Sequence, residues 1–528
     1  MLSRSGAILI RCGLAVLCAV PLPAALAATP GQTPLDAAAA RAWLNRFGYG
    51  ADRASLAATV GQTPQHLLQQ AIHGPVHYPP ALAAVLAASP AAQPLSVLWQ
   101  LYGPGGSEKM NQPARRQPEQ SEVVRSQREV DGRELLQAAV ADRLLQSANS
   151  DNPGHEVLLN FWLNHFSIHG LKTINQFLAA DYVRTLQAAL REDSFLALLE
   201  ASFYHPAMQV YLDNIRSTAP DSRMAERAAR RGETLGINEN LARELLELHT
   251  LGVDGGYRQA DVQALARIIT GAGILNNRLP PARVEAAGAE RRGYFFFDPA
   301  RHDFGAKRLL GVDYPAGRGS EEIRVALRQL AQHPATGRHL AGKLARRFLS
   351  DEPPPALVAA MAAAFQRSGG RISATLQPLL DSPEFARSLQ APGKFKEPLD
   401  YLLSAARAAC DGQPMANGRF FWRAAQELGQ APLLRSTPDG YGSQEADWLS
   451  SAALAKRVRL AQDLASGRLP LAQMPEGGNR RAAVCVPQAA AVRAAVGPLS
   501  ATSSAALAGL DGSDEIAALL ASPEFMRR

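Results

Sequence analysis

Along most of the chain, apolar residues return every three to four positions, the spacing of one buried face of an α-helix, and strict two-residue alternation is almost absent. The first such stretch, 35–47, ends in NRFGYG, where Gly48 and Gly50 stop the helix. The same pattern predicts helices over 52–72, 80–101, 133–148, 155–167 and 171–192, then 237–250, 259–271, 320–332 and 335–350. Four more are expected over 354–367, 396–408, 418–429 and 442–467. Polar connectors lie at 103–130, 217–235, 275–293 and 468–482, each expected to be a mobile surface loop. One β element stands out: YFFFD at 294–298, expected to pair with RLLGVDY at 308–314 as a small hairpin. No β–α–β alternation appears. The expected fold is mostly α, a large multi-helix globular assembly with at most that hairpin near 294–314.

Composition changes this picture little. A chain of 528 residues with 47% hydrophobic and 20% charged residues is ordinary for a globular protein and excludes wholesale disorder. Aromatic residues, at 6%, are too few for an all-β sandwich. The net charge is +7, and only seven of the 55 basic residues are lysines. That skew reads as coding bias, because no dense Lys/Arg run carries interleaved aromatics, and no nucleic-acid partner is expected.

The beginning of the chain sets the compartment. Arg4 and Arg11 precede an apolar run from Cys12 to Ala27, and Ala25-Leu26-Ala27 has the small-x-small form of a cleavage site. Residues 1–27 are therefore expected to be a signal peptide and 28–34 a short leading segment. A single large helical domain is expected over 35–528, without a membrane span, in the periplasm or secreted. Cleavage leaves two cysteines, Cys410 and Cys485, with 74 residues between them. In an oxidising compartment an even pair suggests one disulfide, contributing about 4–5 kcal/mol in the loop-entropy model. Two separate buried thiols are the alternative.

Candidate chemistry gathers in the middle of the chain. FWLNHFSIHG at 161–170 sets Asn164 and His165 in an aromatic-rich helix, and HPAMQVYLDN at 205–214 puts Asp213 and Asn214 at a helix end. A buried histidine is commonly a hydrogen-bonded core residue, and Asx residues at helix ends commonly cap or turn the chain. In NENLARELLELHTLGVDGGYRQADVQALARIITG, 238–271, Asn238 is positioned to cap a helix whose other face aligns Asn240, Glu244 and Glu247, with Arg243 one turn before Glu247. Two readings stay open there: a solvated stripe with an ordinary Arg–Glu pair, or a partly buried carboxylate cluster for a cation or acid–base work. RHDFGAKRLLG at 301–311 adds His302, Asp303 and Lys307. HPATGRHLAGKLARRFLSDEPPP at 333–355 reads as a basic amphipathic helix with a solvated or salt-bridging face. The repeated SPEF of 382–385 and 522–525 reads as a helix start, with serine as cap and proline in the first turn. HExxH, paired CxxC, GxSxG and P-loop motifs are absent.

NRFGYG, FWLNHFSIHG, YLDN, NENLARELLELHTLGVDGGY with DVQALARIITG, HDFGAKRLLG, HPATGRHLAGKLARRFLSDEPPP, SPEF and KFKEPLDYLLSAARA follow in an order and form that resemble a bacterial family catalogued as domain of unknown function 1800. The resemblance covers about 35–528. It departs at Arg258, where threonine is usual and a Thr–Asp261 capping box is lost, at Ala272 for tryptophan and at Ala306 for proline. The resemblance implies an exported, mainly helical protein, often encoded beside exported sulfatase-like proteins. It brings no reaction.

Two functions are therefore expected in the alternative. One is a hydrolase or lyase acting on envelope or extracellular polymer. In it Glu244 is the acid or base, His165 its partner and Lys307 an anion-stabilising charge, with His302 and Asp303 in the same site. Asn164, Asp213, Asn214, Asn238, Asn240 and Glu247 then hold ligand or a divalent cation, whose identity the sequence leaves open. The other is a non-catalytic binding or assembly partner of an exported sulfatase-like protein.

Overall fold

Helix after helix begins by the same local device. A short polar side chain accepts from a backbone N–H one turn on, as Asp36 does from Ala39 and Asn152 from His155, and Ser194 and Ser450 repeat it. Proline often fills the first turn, where its missing N–H costs nothing, as at Pro64, Pro153, Pro334 and Pro398. The computed structural model describes residues 29–105, 118–390, 393–472 and 484–528, with the backbone alone over 118–131. The expected signal peptide, and the stretches 106–117 and 473–482 of two expected connectors, lie outside the described residues.

The fold is mostly α: 59% of it is helical and 5% is strand. One hydrophobic cluster runs from Leu35 to Met526, so elements far apart in the chain share a core. The helix Pro153–His165 passes through that core, with Val157, Leu158, Trp162 and Leu163 all buried. The helices Asn175–Leu190 and Pro118–Asn149 pack beside it. The helix Pro334–Phe348 packs on Pro355–Ser368, which in turn packs on Ile372–Leu380.

Several expected elements are divided. The stretch 52–72 is two helices, Arg53–Thr59 and Pro64–His73, because Gly61 takes a left-handed φ of 82° and Pro64 starts the second. The connector 217–235 contains a helix, Arg223–Ala229, capped by Ser222. The connector 103–130 is helical from Pro118 onward.

The expected hairpin is corrected. Phe295–Phe297 pairs antiparallel with Ala272–Ile274 on one side and Glu290–Arg292 on the other, not with 308–314. All three phenylalanines are buried, and a strand with no wet face is served best by a partner along each edge. Lys307–Leu309 folds back on Val312–Tyr314 instead. Leu310 and Gly311, with φ of 48° and 81°, supply the two left-handed residues of a tight turn matched to the strand twist. The strain at Leu310 is held by Asp261, whose carboxylate accepts from Leu310 N–H at 2.7 Å and from Arg258 N–H at 2.8 Å. Asp261 thus still caps its helix although residue 258 is not threonine.

Cys410, at the end of the helix Pro398–Cys410, is bonded to Cys485 with their Cα atoms 5.0 Å apart. Among the described residues no helix is long and apolar enough to cross a membrane.

Candidate active site

In HPATGRHLAGKLARRF the apolar positions Leu340, Leu344 and Phe348 turn into the core, while His339, Lys343 and Arg346, spaced by four and three, share another face. That face forms one wall of a cavity of about 300 Å³. Asn160, Phe161 and Asn164 of the helix Pro153–His165 form the opposite wall, and the loop 432–443 closes the third side. Tyr49, Arg347, Glu397, Asp400 and Gln430 make the floor.

The floor is neutralised internally. Arg347 donates to Glu397 at 2.8 Å and to both oxygens of Asp400 at 2.8 and 2.9 Å. Arg528 reaches the same two carboxylates at 3.2 Å, and Gln430 donates to Glu397 at 2.9 Å. Burial alone would raise the Asp400 carboxyl, but Arg347 and Arg528 outweigh it and hold the group well below the usual range. Both carboxylates are occupied by the two guanidinium groups.

The wall above is different. Among the described residues, neither the Lys343 ammonium nor the Arg346 guanidinium has a hydrogen-bond or ion-pair partner. Burial pushes Lys343 down to about 8, with Arg346 adding to the shift and Asp439 opposing it. A half-buried cation without a paired acceptor is costly, so a site that keeps Lys343 and Arg346 on one wall is electrostatically incomplete until an anion enters.

Three imidazoles surround Lys343, His339 on the wall itself and His165 and His249 behind it. The helix Asn240–Glu244 runs into a π-helical turn, Leu245–His249, whose wider winding leaves late carbonyls without a ladder partner. His339 donates from Nε2 to the Leu248 carbonyl at 3.2 Å, and His165 from Nε2 to the His249 carbonyl at 3.1 Å. A carbonyl only accepts, so both rings carry their proton on Nε2. Burial, then Lys343, lowers all three rings: His249 to about 3, His339 to about 4, and His165 well below the ordinary value. His165 sits among Phe161, Trp162, Phe166 and Phe195 and does not line the cavity. Its Nε2 bond joins the helix Pro153–His165 to the π turn behind the wall.

Asn164 does line the cavity, and its amide clasps the loop opposite. Its Nδ2 donates to the Tyr441 carbonyl at 2.9 Å and its Oδ1 accepts from Tyr441 N–H at 2.7 Å. Gly440, with φ of 75°, permits this approach, since a Cβ there would collide with the Asn164 carbonyl. The same loop is tied by Gly170 N–H to the Leu433 carbonyl at 2.7 Å and by the Tyr211 hydroxyl to the Ser436 carbonyl at 2.9 Å.

The other expected site residues lie elsewhere. Glu244 is half-buried near Asp439 but does not line the cavity, and burial and Glu247 raise it to about 7. Glu247 accepts from the Tyr257 hydroxyl at 3.2 Å. Arg243 pairs with Glu239 at 3.1 Å, not with Glu247, because the π turn shifts the register between them. Asn238 accepts from Asn240 N–H at 2.9 Å, which turns the chain into the helix, and the Asn240 side chain is exposed. Asp213, left-handed at φ 58°, pairs with Lys172 at 2.8 Å. Asn214 is buried and donates to Gln209 and to the carbonyls of Ile269 and Ala272.

His302, Asp303 and Lys307 do not join His165 and Glu244. They form their own buried network. His302 Nε2 lies 3.0 Å and Lys307 Nζ 2.5 Å from Glu322, while Arg267 clamps Asp303 at 2.6 and 3.1 Å. None of these groups lines the cavity. Among the described residues no three His, Cys, Asp or Glu side chains converge to hold a metal ion.

A family model described as a protein of unknown function (DUF1800) matches residues 42–527. The chain belongs to that family. No curated protein and no solved structure matches the chain. The DUF1800 match includes every segment of the cavity, from Tyr49 to Ser443, and also the separate His302 network. Membership therefore leaves the choice between the two sites to their chemistry. The His302 network is closed off by burial and its charges are paired with one another, although Glu322 Oε2 has no hydrogen-bond partner. The cavity is open, and among the described residues Lys343 and Arg346 on its wall are unpaired.

Lys343, Arg346, His339, Asp439 and Tyr441 escape a reading of the sequence. Basic residues at helical spacing look like a solvated face, and only tertiary packing reveals that, among the described residues, neither Lys343 nor Arg346 is paired. One signal was available: with seven lysines among 55 basic residues, a lysine is an exception in this chain. Of the two cations only lysine can lose its proton near neutral pH.

Proposed function

We propose that this is an exported bacterial enzyme, a hydrolase or lyase acting by acid–base chemistry on an envelope or extracellular polymer, with the cavity between Asn164 and Lys343 as its active site. The single observation that carries the reading is Lys343: an unpartnered amine on a cavity wall, brought by burial to about 8. An acid or base works best when its pKa lies near the working pH, and such shifts concentrate at functional sites. Arg346 beside it supplies a fixed positive charge for an anionic group of the ligand. Export is supported by Arg4, Arg11 and the apolar run to Ala27, and by the Cys410–Cys485 bond, which belongs in an oxidising compartment such as the periplasm or the medium.

The test is polymer depolymerisation by the wild type and by Lys343→Met and Lys343→Arg, with thermal melts to verify folding. Both variants are expected to lose about a hundredfold or more in kcat. Full activity in Lys343→Met contradicts the reading. A cavity that takes no ligand, together with an exported sulfatase-like protein recovered stoichiometrically from the periplasm, favours an assembly role instead.

A further inference from the structure

The cavity walls narrow the chemistry further. Hydrolysis of a glycosidic bond usually takes two free carboxyl groups, one to donate a proton and one to act as base or nucleophile. Among the described residues, three carboxylates line this cavity. Glu397 and Asp400 are held by Arg347 and Arg528, so neither is free to donate a proton or attack. Asp439 is about half exposed, paired with Arg435 at 3.5 Å and accepting from Thr437 at 2.5 Å, and has no second free carboxyl beside it in the lining. Among the described residues, the lining does not offer the free pair that hydrolysis needs. What the lining offers is two cations one helical turn apart, one able to lose its proton and one not. That set suits a reaction in which a fixed charge neutralises a carboxylate while a neighbouring amine removes the proton next to it.

We propose that the substrate is a uronate-containing polysaccharide and that the cavity cleaves it by β-elimination, Arg346 pairing with the uronate carboxylate and Lys343 Nζ removing the adjacent C5 proton. The proposal rests on the reading of this cavity as an acid–base active site. The electron pair of the C5–H bond becomes the C4–C5 double bond, and the C4–O bond to the next sugar breaks. The departing oxygen takes the proton back from the Lys343 ammonium. Water, metal and oxidant take no part in this balance. The products are one chain with a new hydroxyl and one ending in a 4,5-unsaturated uronate. Pairing with Arg346 makes the C5 proton acidic enough to remove, because the carboxylate must carry the developing negative charge. Glu397 and Asp400, already neutralised, do not repel it.

The experiment incubates the mature protein with polygalacturonate, alginate or hyaluronan in ¹⁸O-water, with a neutral glucan alongside. Products are followed by the far-ultraviolet absorbance of the conjugated acid and by mass spectrometry. The expected result is an unsaturated product without ¹⁸O from at least one acidic polymer, and none from the glucan. Lys343→Met is expected to abolish it, and Arg346→Gln to raise KM by about ten- to a hundredfold, the loss of one charge-assisted pair. A product carrying ¹⁸O and no double bond overturns elimination while leaving the acid–base enzyme standing. Cleavage of the glucan that needs Lys343 but ignores Arg346→Gln overturns the uronate in the same way. Failure to cleave any of the acidic polymers also overturns it. Cleavage that survives Lys343→Met removes the underlying reading as well.

Discussion

Lys343 is balanced between groups on every element around it. Arg346 and His339 stand on its own helix, His165 and His249 behind the wall, and Asp439 on the loop opposite. The three imidazoles are held neutral, so they add no charge near pH 7, and Arg346 and Asp439 act in opposite directions. Burial decides. The free amine is the active form, so kcat/KM is expected to rise with pH and level off above about 8, the value at which Lys343 loses its proton. A pH–rate profile checks this; a rate that falls as pH rises through 8 contradicts the sign. At this scale the sequence was half legible. Asn164 and His165 stood out as polar groups inside an aromatic helix, but the Asn164 amide and His165 Nε2 bond to backbone groups of Tyr441 and His249, which no residue pattern displays.

Elements set where these groups point. The π turn Leu245–His249 presents two carbonyls to two imidazoles, and so fixes the helix Pro334–Phe348 against the end of Pro153–His165. Across the cavity, Asn164 holds the loop 432–443 through two backbone bonds. Asn164→Ala leaves the Tyr441 N–H and carbonyl without partners, a cost of about 1–3 kcal/mol. Denaturant unfolding is expected to register that loss, and hydrogen exchange to show faster opening over 439–443; unchanged exchange there contradicts the clasp. The His302 network gives the opposite signature. Glu322→Ala strips Lys307 and His302 of their carboxylate and is expected to cost about 3–5 kcal/mol, while activity per folded molecule stays the same. A specific loss of activity in a well-folded Glu322→Ala protein would return His302 to the site. Helix periodicity was readable because burial repeats along each helix. Strand partners were not: three consecutive phenylalanines signal a strand but not which edges it needs.

At the scale of the whole molecule, the cavity draws on Tyr49, the segment 160–167, the helix Pro334–Phe348, the segment 397–400 and the loop 430–443. Such convergence is a property of the packed core, which runs from Leu35 to Met526, and has no local mark in the sequence. What the sequence did carry was the class of fold and the pair of cysteines. Cys410 closes the helix that begins beside Glu397, so its bond to Cys485 braces the floor of the cavity from the far end of that helix. Cys410→Ser with Cys485→Ser is expected to lower stability by about 4 kcal/mol through the loop it opens, measured by unfolding of oxidised and reduced protein; equal stability in all three forms contradicts that contribution. The central claim is that Lys343 is an accessible amine with no acceptor and a lowered affinity for its proton. The pH dependence of Lys343 acylation, followed peptide by peptide in the mass spectrometer, tests it most directly. Half-maximal labelling near pH 8, slowed by an acidic oligosaccharide, is the expected result. A midpoint near 10.5, the ordinary lysine value, with no protection by any anion, contradicts it.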